Sequence, residues 1–219
     1  MMYFDIADPI IDSTRQMFKE LENDLRPSKI DLGIGTYRDE KGEAPVFKAV
    51  KKAEEILIKK EISKSYKSPS GNKKYCENIL ELVLGKKILG DRNNKVGSIQ
   101  IPGAGSGLRI AGELIKNNTK NKTISVPNPT WGQQTFMFQK SGLNVVKHSY
   151  YDEKNNCLDF ENMYKDVNNL KSGDALLLHG CCHNPTGADL SIDQWSQIAS
   201  LCKKNGILPF VDLVYQGLG

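Results

Sequence analysis

Two apolar runs, DALLLHG (174–180) and ILPFVDLVY (207–215), decide the fold, because the stretch between them carries helix signals. Ser191 and Gln194 stand in capping-box register, and Gly206 is placed to end the helix that they begin. Continuous apolar strands separated by a helix are typical of a parallel sheet that is covered on both faces. We therefore predict a parallel strand–helix–strand unit here.

The same alternation extends over most of the chain. Candidate strands are 96–101, 122–126, 143–150, 174–180 and 207–215, and the clearest helices between them are 107–117, 130–141 and 192–204. The pattern predicts an α/β fold with three layers and a mostly parallel sheet.

Three further helices are predicted nearer the N-terminus. The first begins at Asp8 and ends near Arg26, the second runs from Pro45 to about Glu61, and the third ends at Gly85. Apolar residues at helical spacing give the second helix a predicted buried face. That face comprises Val46, Ala49, Val50, Ala53, Ile56 and Leu57.

Composition indicates a globular protein of one or two domains. The chain has 219 residues, of which 39% are hydrophobic, and its net charge is only +4. The lysines are interleaved with acidic residues, which argues against nucleic acid as a partner. No apolar stretch is long enough to cross a membrane, and the N-terminus lacks the features of a signal peptide. The five cysteines are scattered, so we expect a reduced, cytoplasmic protein.

A glycine-rich turn follows the first predicted strand. PGAGSGLR (102–109) leads directly into a helix, and free N–H groups at a helix N-terminus can bind an anion such as phosphate. The turn matches neither the P-loop nor the dinucleotide-binding pattern. Taken alone, it is equally well explained as a tight connection between a strand and a helix.

Aromatic and amide side chains follow two other predicted strands. Trp131 comes after the strand at 122–126, where it could stack on a flat ligand or simply belong to the core. Asn184 follows the strand at 174–180, in a turn with Pro185 and Gly187. Its amide could donate to a ligand oxygen, although a turn favours Asn for conformational reasons alone.

The sharpest anomaly is Asp212, which lies in an apolar run three residues before Tyr215. A buried carboxylate is costly unless it is paired with a cation or with a protonated ring nitrogen. A structural ion pair is the alternative. A phosphate cradle, a stacking ring, hydrogen-bond donors and a carboxylate for a ring nitrogen together describe a site for pyridoxal phosphate.

A metal centre is the competing interpretation of CCH (181–183). Adjacent residues of an extended chain point to opposite sides, so Cys181 and Cys182 cannot easily share one ion. No second pair of ligands supports a zinc site. We therefore predict no metal, and we interpret both cysteines as small buried packing residues. His183 is then a supporting residue beneath the cofactor.

The sequence also resembles the class I, fold-type I aminotransferases, in the branch that acts on aspartate and aromatic amino acids. The resemblance rests on five motifs that appear in the family's order and extend over nearly the whole chain. They are DPI (8–10), IDLGIGTYRDEKG (30–42), NPTW (128–131), HGCCHNPTG (179–187) and DLVYQG (212–217).

This resemblance implies amino-group transfer between an amino acid and a 2-oxo acid, with pyridoxal phosphate as the cofactor. It implies that Trp131 stacks on the pyridine ring, that Asn184 and Tyr215 bind the ring hydroxyl oxygen, and that Asp212 pairs with the ring nitrogen. Gly35 would contact substrate, as would Trp131 and Asn184. The phosphate would be held by the segment comprising Gly103, Ala104, Gly105 and Ser106.

The resemblance also implies a domain arrangement and a partner. Residues 1–44 would form an N-terminal arm and part of a small domain, and residues 45–219 would form most of a large cofactor-binding domain. Tyr66 matches the tyrosine that reaches the phosphate in a neighbouring subunit, which implies a homodimer.

The chain departs from the family pattern in several places. The Schiff-base lysine of the family lies downstream of YQG, so we expect it to be absent from these 219 residues. The chain would then act with a complementary C-terminal half, or it would be a non-catalytic fragment that retains a cofactor-shaped site. In the phosphate loop, Gly105 replaces a hydroxyl residue. Val214 stands where alanine is usual, and Gln134 replaces a common histidine.

Overall fold

The computed structural model describes residues 13–30, 35–66, 68–91 and 95–217. The chain divides into two compact units, Met1–Tyr66 and Lys67–Gly219. The predicted helix start at Asp8 and part of the IDLGIG stretch lie outside the described residues.

The first unit contains the helices α1 (Ser13–Asn23) and α2 (Lys48–Lys60). The prediction of α2 is confirmed, but the helix begins after Phe47 and not at Pro45. Its predicted buried face is wrong, because the helix has no buried residue and Leu57 is 60% exposed. Helical spacing shows which residues share a face. It does not show whether another segment covers that face, and no described segment covers this one.

The second unit begins with two helices and continues as an alternating α/β structure. Its elements are α3 (Lys73–Asp91), α4 (Ala104–Asn118), β1 (Thr123–Asn128), α5 (Gly132–Lys140), β2 (Asn144–Ser149), β3 (Tyr151–Asp152), β4 (Cys157–Leu158), α6 (Phe160–Asn168), β5 (Ala175–His179), α7 (Ile192–Asn205) and β6 (Leu208–Asp212). The assigned span of α3 comprises two helices that meet at Gly85, whose φ of 74° and ψ of 157° are not helical, so the predicted helix end at Gly85 is confirmed.

A parallel sheet organises this unit. Its strand order is β2-β1-β5-β6, and every neighbouring pair is parallel. The short strands β3 and β4 form a separate antiparallel pair. Four of the five predicted strands are therefore confirmed, with ends shifted by a few residues.

The central strand β5 separates two hydrophobic cores. Leu176 and Leu178 pack with Met163 and Ile198, which lie on α6 and α7. Leu177 faces the opposite core, where it joins Phe138 and other residues of α4, α5 and β1. Successive side chains of a strand point to opposite faces, so one apolar run supplies both cores. This arrangement confirms the predicted layers of helix, sheet and helix.

The predicted strand at 96–101 is wrong, because no strand is assigned there in the described residues. The Gln100 N–H donates to the Ser70 carbonyl at 3.0 Å, but no strand of the described ranges pairs with this segment. An apolar run becomes a strand only when a neighbouring strand offers a ladder of backbone groups.

The ends of α7 match the sequence prediction closely. Ser191 and Gln194 form the reciprocal capping box, and Gly206 ends the helix in the left-handed conformation with φ 68°. A cap of this kind contributes about 1 kcal/mol to helix stability. Among the helices of the described ranges, none is long and apolar enough to span a lipid bilayer.

Candidate functional site

A cavity of about 130 Å³ lies in the second unit, at the carboxyl ends of the strands. Parallel α/β sheets bind ligands at this edge, because several strands end there and their loops diverge. The residues that line it are Ala104, Trp131, Gln134, His179, Cys181, Asn184, Asp212, Val214 and Tyr215.

Strand register brings the central polar pair of the cavity together. Asp212 is the last residue of β6, and it lies beside His179, the last residue of β5. The Gly180 N–H donates to the Asp212 carbonyl at 2.8 Å and extends the ladder by one bond. The Asp212 carboxylate is therefore attached to a rigid sheet edge.

Gln134 of α5 connects both residues of this pair. Its side chain is almost fully buried, at 1% exposure, and its Nε2 donates to Asp212 Oδ2 at 2.6 Å. Its Oε1 accepts from the Thr130 hydroxyl at 2.5 Å and lies 3.1 Å from His179 Nε2. A carboxylate only accepts hydrogen bonds, so the amide nitrogen must face Asp212.

The hydrogen bonds of His179 fix its tautomer. Its Nδ1 accepts from the Asn184 backbone N–H at 3.1 Å, so in the neutral ring the proton is on Nε2. Nε2 can then donate to Gln134 Oε1 or to the Thr130 hydroxyl, which lies 3.3 Å away. Burial lowers the pKa of His179, although the charges of Asp212 and Asp189 oppose the shift. The ring therefore acts as a neutral donor.

The N-terminus of α4 contributes to the lining of the cavity. Gly103 precedes the helix with φ 122° and ψ 167°, a conformation that is essentially restricted to glycine. Ala104 is the first helical residue and lines the cavity. The first N–H groups of a helix have no intrahelical partner, and the helix dipole places partial positive charge there. This end of the cavity suits an anion.

The Asp189 carboxylate stabilises the loop that follows β5. Its two carboxylate oxygens accept from the Cys182 N–H at 2.7 Å and from the His183 N–H at 2.9 Å. Cys182 adopts a positive φ of 49°, and the Asn184–Pro185 peptide bond is cis. These two hydrogen bonds to Asp189 fix the loop backbone just before Asn184, which lines the cavity.

Buried aromatic rings support this loop from beneath. His183 stacks on Tyr150 with ring centroids 3.8 Å apart, and it also contacts His179 at 4.3 Å. Burial lowers the pKa of His183 to about 3 and the pKa of His148 to about 4. The Nε2 atoms of both rings are buried and have no hydrogen-bond partner among the described residues. These rings are neutral packing elements at neutral pH.

The structure brings five of the sequence-predicted residues to one cavity: Ala104, Trp131, Asn184, Asp212 and Tyr215. Gly103, Gly105 and Ser106 adjoin Ala104 at the start of α4 but do not line the cavity. Gly35 and Tyr66 belong to the other unit, where both are exposed.

Four cavity residues were not predicted as site residues: Gln134, His179, Cys181 and Val214. Gln134 and Val214 were visible only as departures from the family pattern, whereas His179 could have been found from its place at a strand end. Cys181 and Cys182 are half-buried, and Cys181 donates through Sγ to the Tyr215 carbonyl at 3.4 Å, so their prediction as buried packing residues is wrong.

No metal-binding cluster occurs in the part of the chain that the structure describes. The five cysteines all lie in that part and are free thiols.

Comparison with known proteins identifies the family. A sequence model of the aminotransferase class I and II family matches residues 27–219. This chain belongs to that family. The aspartate aminotransferase of Escherichia coli K12 is 39% identical over 211 residues, which are 96% of this chain and 52% of that protein. The aromatic-amino-acid aminotransferase of Paracoccus denitrificans is 38% identical over 95% of this chain and 52% of its own length.

A solved structure extends the family match to the fold. The aromatic-amino-acid aminotransferase of Burkholderia pseudomallei, described as covalently bound to pyridoxal phosphate, superposes with a TM-score of 0.93 at 30% identity. The match covers 100% of this chain and 55% of that one. The resemblance to fold-type I aminotransferases is confirmed, and this chain spans about half the length of the relatives that it matches.

Proposed function

We propose that this chain is the N-terminal part of a pyridoxal-phosphate-dependent aminotransferase, and that its cavity binds the cofactor. The reaction would transfer an amino group between aspartate or an aromatic amino acid and a 2-oxo acid. The observation that carries the proposal is the Asp212 carboxylate, fixed in the cavity by Gln134 at 2.6 Å.

The donor set of the cavity fits the cofactor's ring. Trp131 offers an aromatic face, and Asp212 offers an acceptor for a protonated pyridine nitrogen. The Asn184 amide and the Tyr215 hydroxyl are suited to the ring hydroxyl oxygen, which accepts hydrogen bonds. Val214 would lie against the ring.

We place the phosphate at the start of α4, where Ala104 lines the cavity. We propose that the segment Gly103–Ser106 binds it through backbone N–H groups at the start of α4, where the helix dipole favours an anion. Gly103 gives the backbone the conformation in which the chain enters α4.

When bound, pyridoxal phosphate supplies an electron sink for the bond that breaks at the amino acid's α-carbon. Asp212 holds a proton on the ring nitrogen, and Asn184 and Tyr215 hold the ring hydroxyl oxygen in place. Trp131 excludes water from one ring face. None of the four residues named here is a lysine, so we propose that a C-terminal half supplies the family's catalytic lysine.

Assembly is part of the proposal. Tyr66 is fully exposed, which leaves its hydroxyl available to a cofactor phosphate in a second subunit of a homodimer. Gly35 is exposed as well and would contact substrate through its backbone. We also propose a cytoplasmic location, which the five free thiols support.

Binding is tested with pyridoxamine 5′-phosphate, which needs no lysine to bind. Quenching of tryptophan fluorescence on titration reports occupancy near Trp131, and Trp131→Phe leaves Trp195 as the control for non-specific quenching. Asp212→Asn should weaken binding roughly 30-fold, because a charge-assisted hydrogen bond is lost. Equal affinity of the wild type and Asp212→Asn, or no saturable binding, would contradict the proposal.

Amino-group transfer is tested separately. Transfer from aspartate and from phenylalanine to 2-oxoglutarate is assayed with the chain alone and with the C-terminal half of the Escherichia coli relative added. We expect transfer only in the second case. Transfer by the chain alone would show that its own residues provide the missing nucleophile.

A further inference from the structure

We propose that Gln134 is a positioning residue that orients the Asp212 carboxylate toward the ligand through an uncharged side-chain donor, and that Thr130 and His179 hold Gln134 in place. This inference rests on the proposed function, because it concerns how the cavity binds a ring nitrogen.

The first step is the contact itself. Gln134 Nε2 lies 2.6 Å from Asp212 Oδ2, and the Gln134 side chain is 1% exposed. A buried amide that loses its partner pays the full cost of desolvation. The donor therefore holds one carboxylate oxygen, and the other oxygen can face a ligand in the cavity.

The second step is the fixed direction of the amide. Gln134 Oε1 lies within hydrogen-bond distance of both the Thr130 hydroxyl and His179 Nε2. His179 Nδ1 already accepts from the Asn184 N–H, so its other nitrogen is the donor. A rotated amide would set its oxygen against the carboxylate and its nitrogen against the Nε2–H donor of His179. The network therefore permits one orientation.

The third step is chemical. The Gln134 side chain that contacts Asp212 ends in a carboxamide, which stays uncharged at any pH at which the protein is folded. The family's usual histidine at this position could exchange a proton with the carboxylate or become charged beside it. Gln134 can neither exchange a proton with the carboxylate nor become charged. Asp212 therefore keeps the same neutral hydrogen-bond donor as the pH changes.

The test is a double-mutant cycle on the 219-residue chain, with pyridoxamine 5′-phosphate as the probe. Gln134→Met keeps the length of the side chain and removes the donor, and we expect about tenfold weaker binding. In an Asp212→Asn background the same change should have little further effect. Gln134→His, which restores an N–H donor, should recover most of the affinity.

A second ligand shows whether Gln134 acts by positioning the Asp212 carboxylate or by contacting the ligand directly. An analogue with carbon in place of the ring nitrogen should bind Gln134→Met and wild type equally well. If Gln134→Met weakens both ligands to the same degree, or remains additive with Asp212→Asn, Gln134 touches the ligand or only supports the fold, and the inference fails.

Two further measurements distinguish a loss of positioning from misfolding and from a failure of the cavity to bind the probe. Thr130→Val removes only the hydroxyl that holds Gln134 Oε1, and we expect roughly threefold weaker binding with an unchanged circular dichroism spectrum.

In the ligand-free protein, the Gln134 side-chain NH₂ signal in ¹⁵N NMR should be shifted and slow to exchange, and Asp212→Asn should move it. An ordinary, solvent-exchanging signal would overturn the inference even if the cavity binds the probe. If the signal behaves as expected but nothing binds, only the proposed function fails.

Discussion

His179 and Asp212 end two neighbouring parallel strands and lie directly opposite each other in register. Neither residue is near the other in sequence, and Gln134 comes from a helix 45 residues before His179. Parallel register places the two side chains at the same sheet edge, and the helix adds the amide that joins them. The polar centre of the cavity is thus a product of strand pairing.

Gly103→Ala should destabilise the second unit. Its φ of 122° lies where an L side chain is strained, although the space around an added Cβ is open. We expect the free energy of unfolding to fall by about 1–3 kcal/mol in a denaturant titration. Gly105→Ala is the matched control, because its Cβ would meet only Met137 Cε at 3.7 Å and alanine favours a helix. Equal effects of the two changes would contradict this account.

Asp189→Ala should loosen the loop that presents Asn184. Two backbone N–H groups lose a charged acceptor, which we expect to lower the free energy of unfolding by about 2 kcal/mol. Amide hydrogen exchange at Cys182 and His183 should accelerate more than exchange in β5. Asp189→Asn retains one acceptor oxygen and should give a smaller change. Unaltered exchange at both amides would mean that other contacts hold the loop.

Acid should destabilise the folded chain through its buried histidines. The folded pKa values of about 4 for His148 and about 3 for His183 lie below the ordinary value of 6.5. The unfolded state therefore binds more protons below pH 6.5, so stability decreases as the pH falls toward 4 and is unaffected above 7. Because one pKa unit corresponds to about 1.4 kcal/mol, the loss should reach a few kcal/mol.

This acid response is measured by urea denaturation between pH 4 and pH 7.5. His148→Gln should flatten the slope of unfolding free energy against pH, since it removes one titrating ring. Asp166 faces His148, and Asp189 faces His183, and both carboxylates partly oppose the shifts. A slope that is the same in the variant and the wild type would assign the acid response to other groups.

Val214→Ala should tighten binding of pyridoxamine 5′-phosphate. Val214 lines the cavity of about 130 Å³, and we expect its methyl groups to crowd a ring that binds there. Relief of this crowding is worth about 1 kcal/mol, which corresponds to roughly fivefold in Kd. Val214→Ile should act in the opposite direction. Weaker binding by Val214→Ala would show that the methyl groups make favourable contact with the ligand.

Much of the fold was predictable, because its signals are local. The apolar run of β5, the capping box at Ser191 and the left-handed Gly206 each specify structure through a few neighbouring residues. The segment 96–101 has the same apolar character, yet it forms no strand in the described ranges, because pairing depends on a partner elsewhere. The prediction that one face of α2 is buried was wrong for the same reason, because burial depends on a segment that covers the helix.

The site was predictable in part. Asp212 was conspicuous as a carboxylate in an apolar run, and Trp131 and Asn184 were indicated by their places after strands. Gln134 stood out only because it replaces a histidine that is common in the family, since a glutamine on a helix is otherwise ordinary until its partner is known.

The sequence by itself determined the alternation of helices and strands, the caps of α7 and the residue types that suit a phosphorylated ring. Periodicity and capping act over a few residues, so they can be read along the chain. Only the tertiary structure decided that Gln134 contacts Asp212, that His179 is the neutral donor behind it, and that Val214 lines the same cavity. Those facts depend on strand register and helix packing, which join residues distant in sequence.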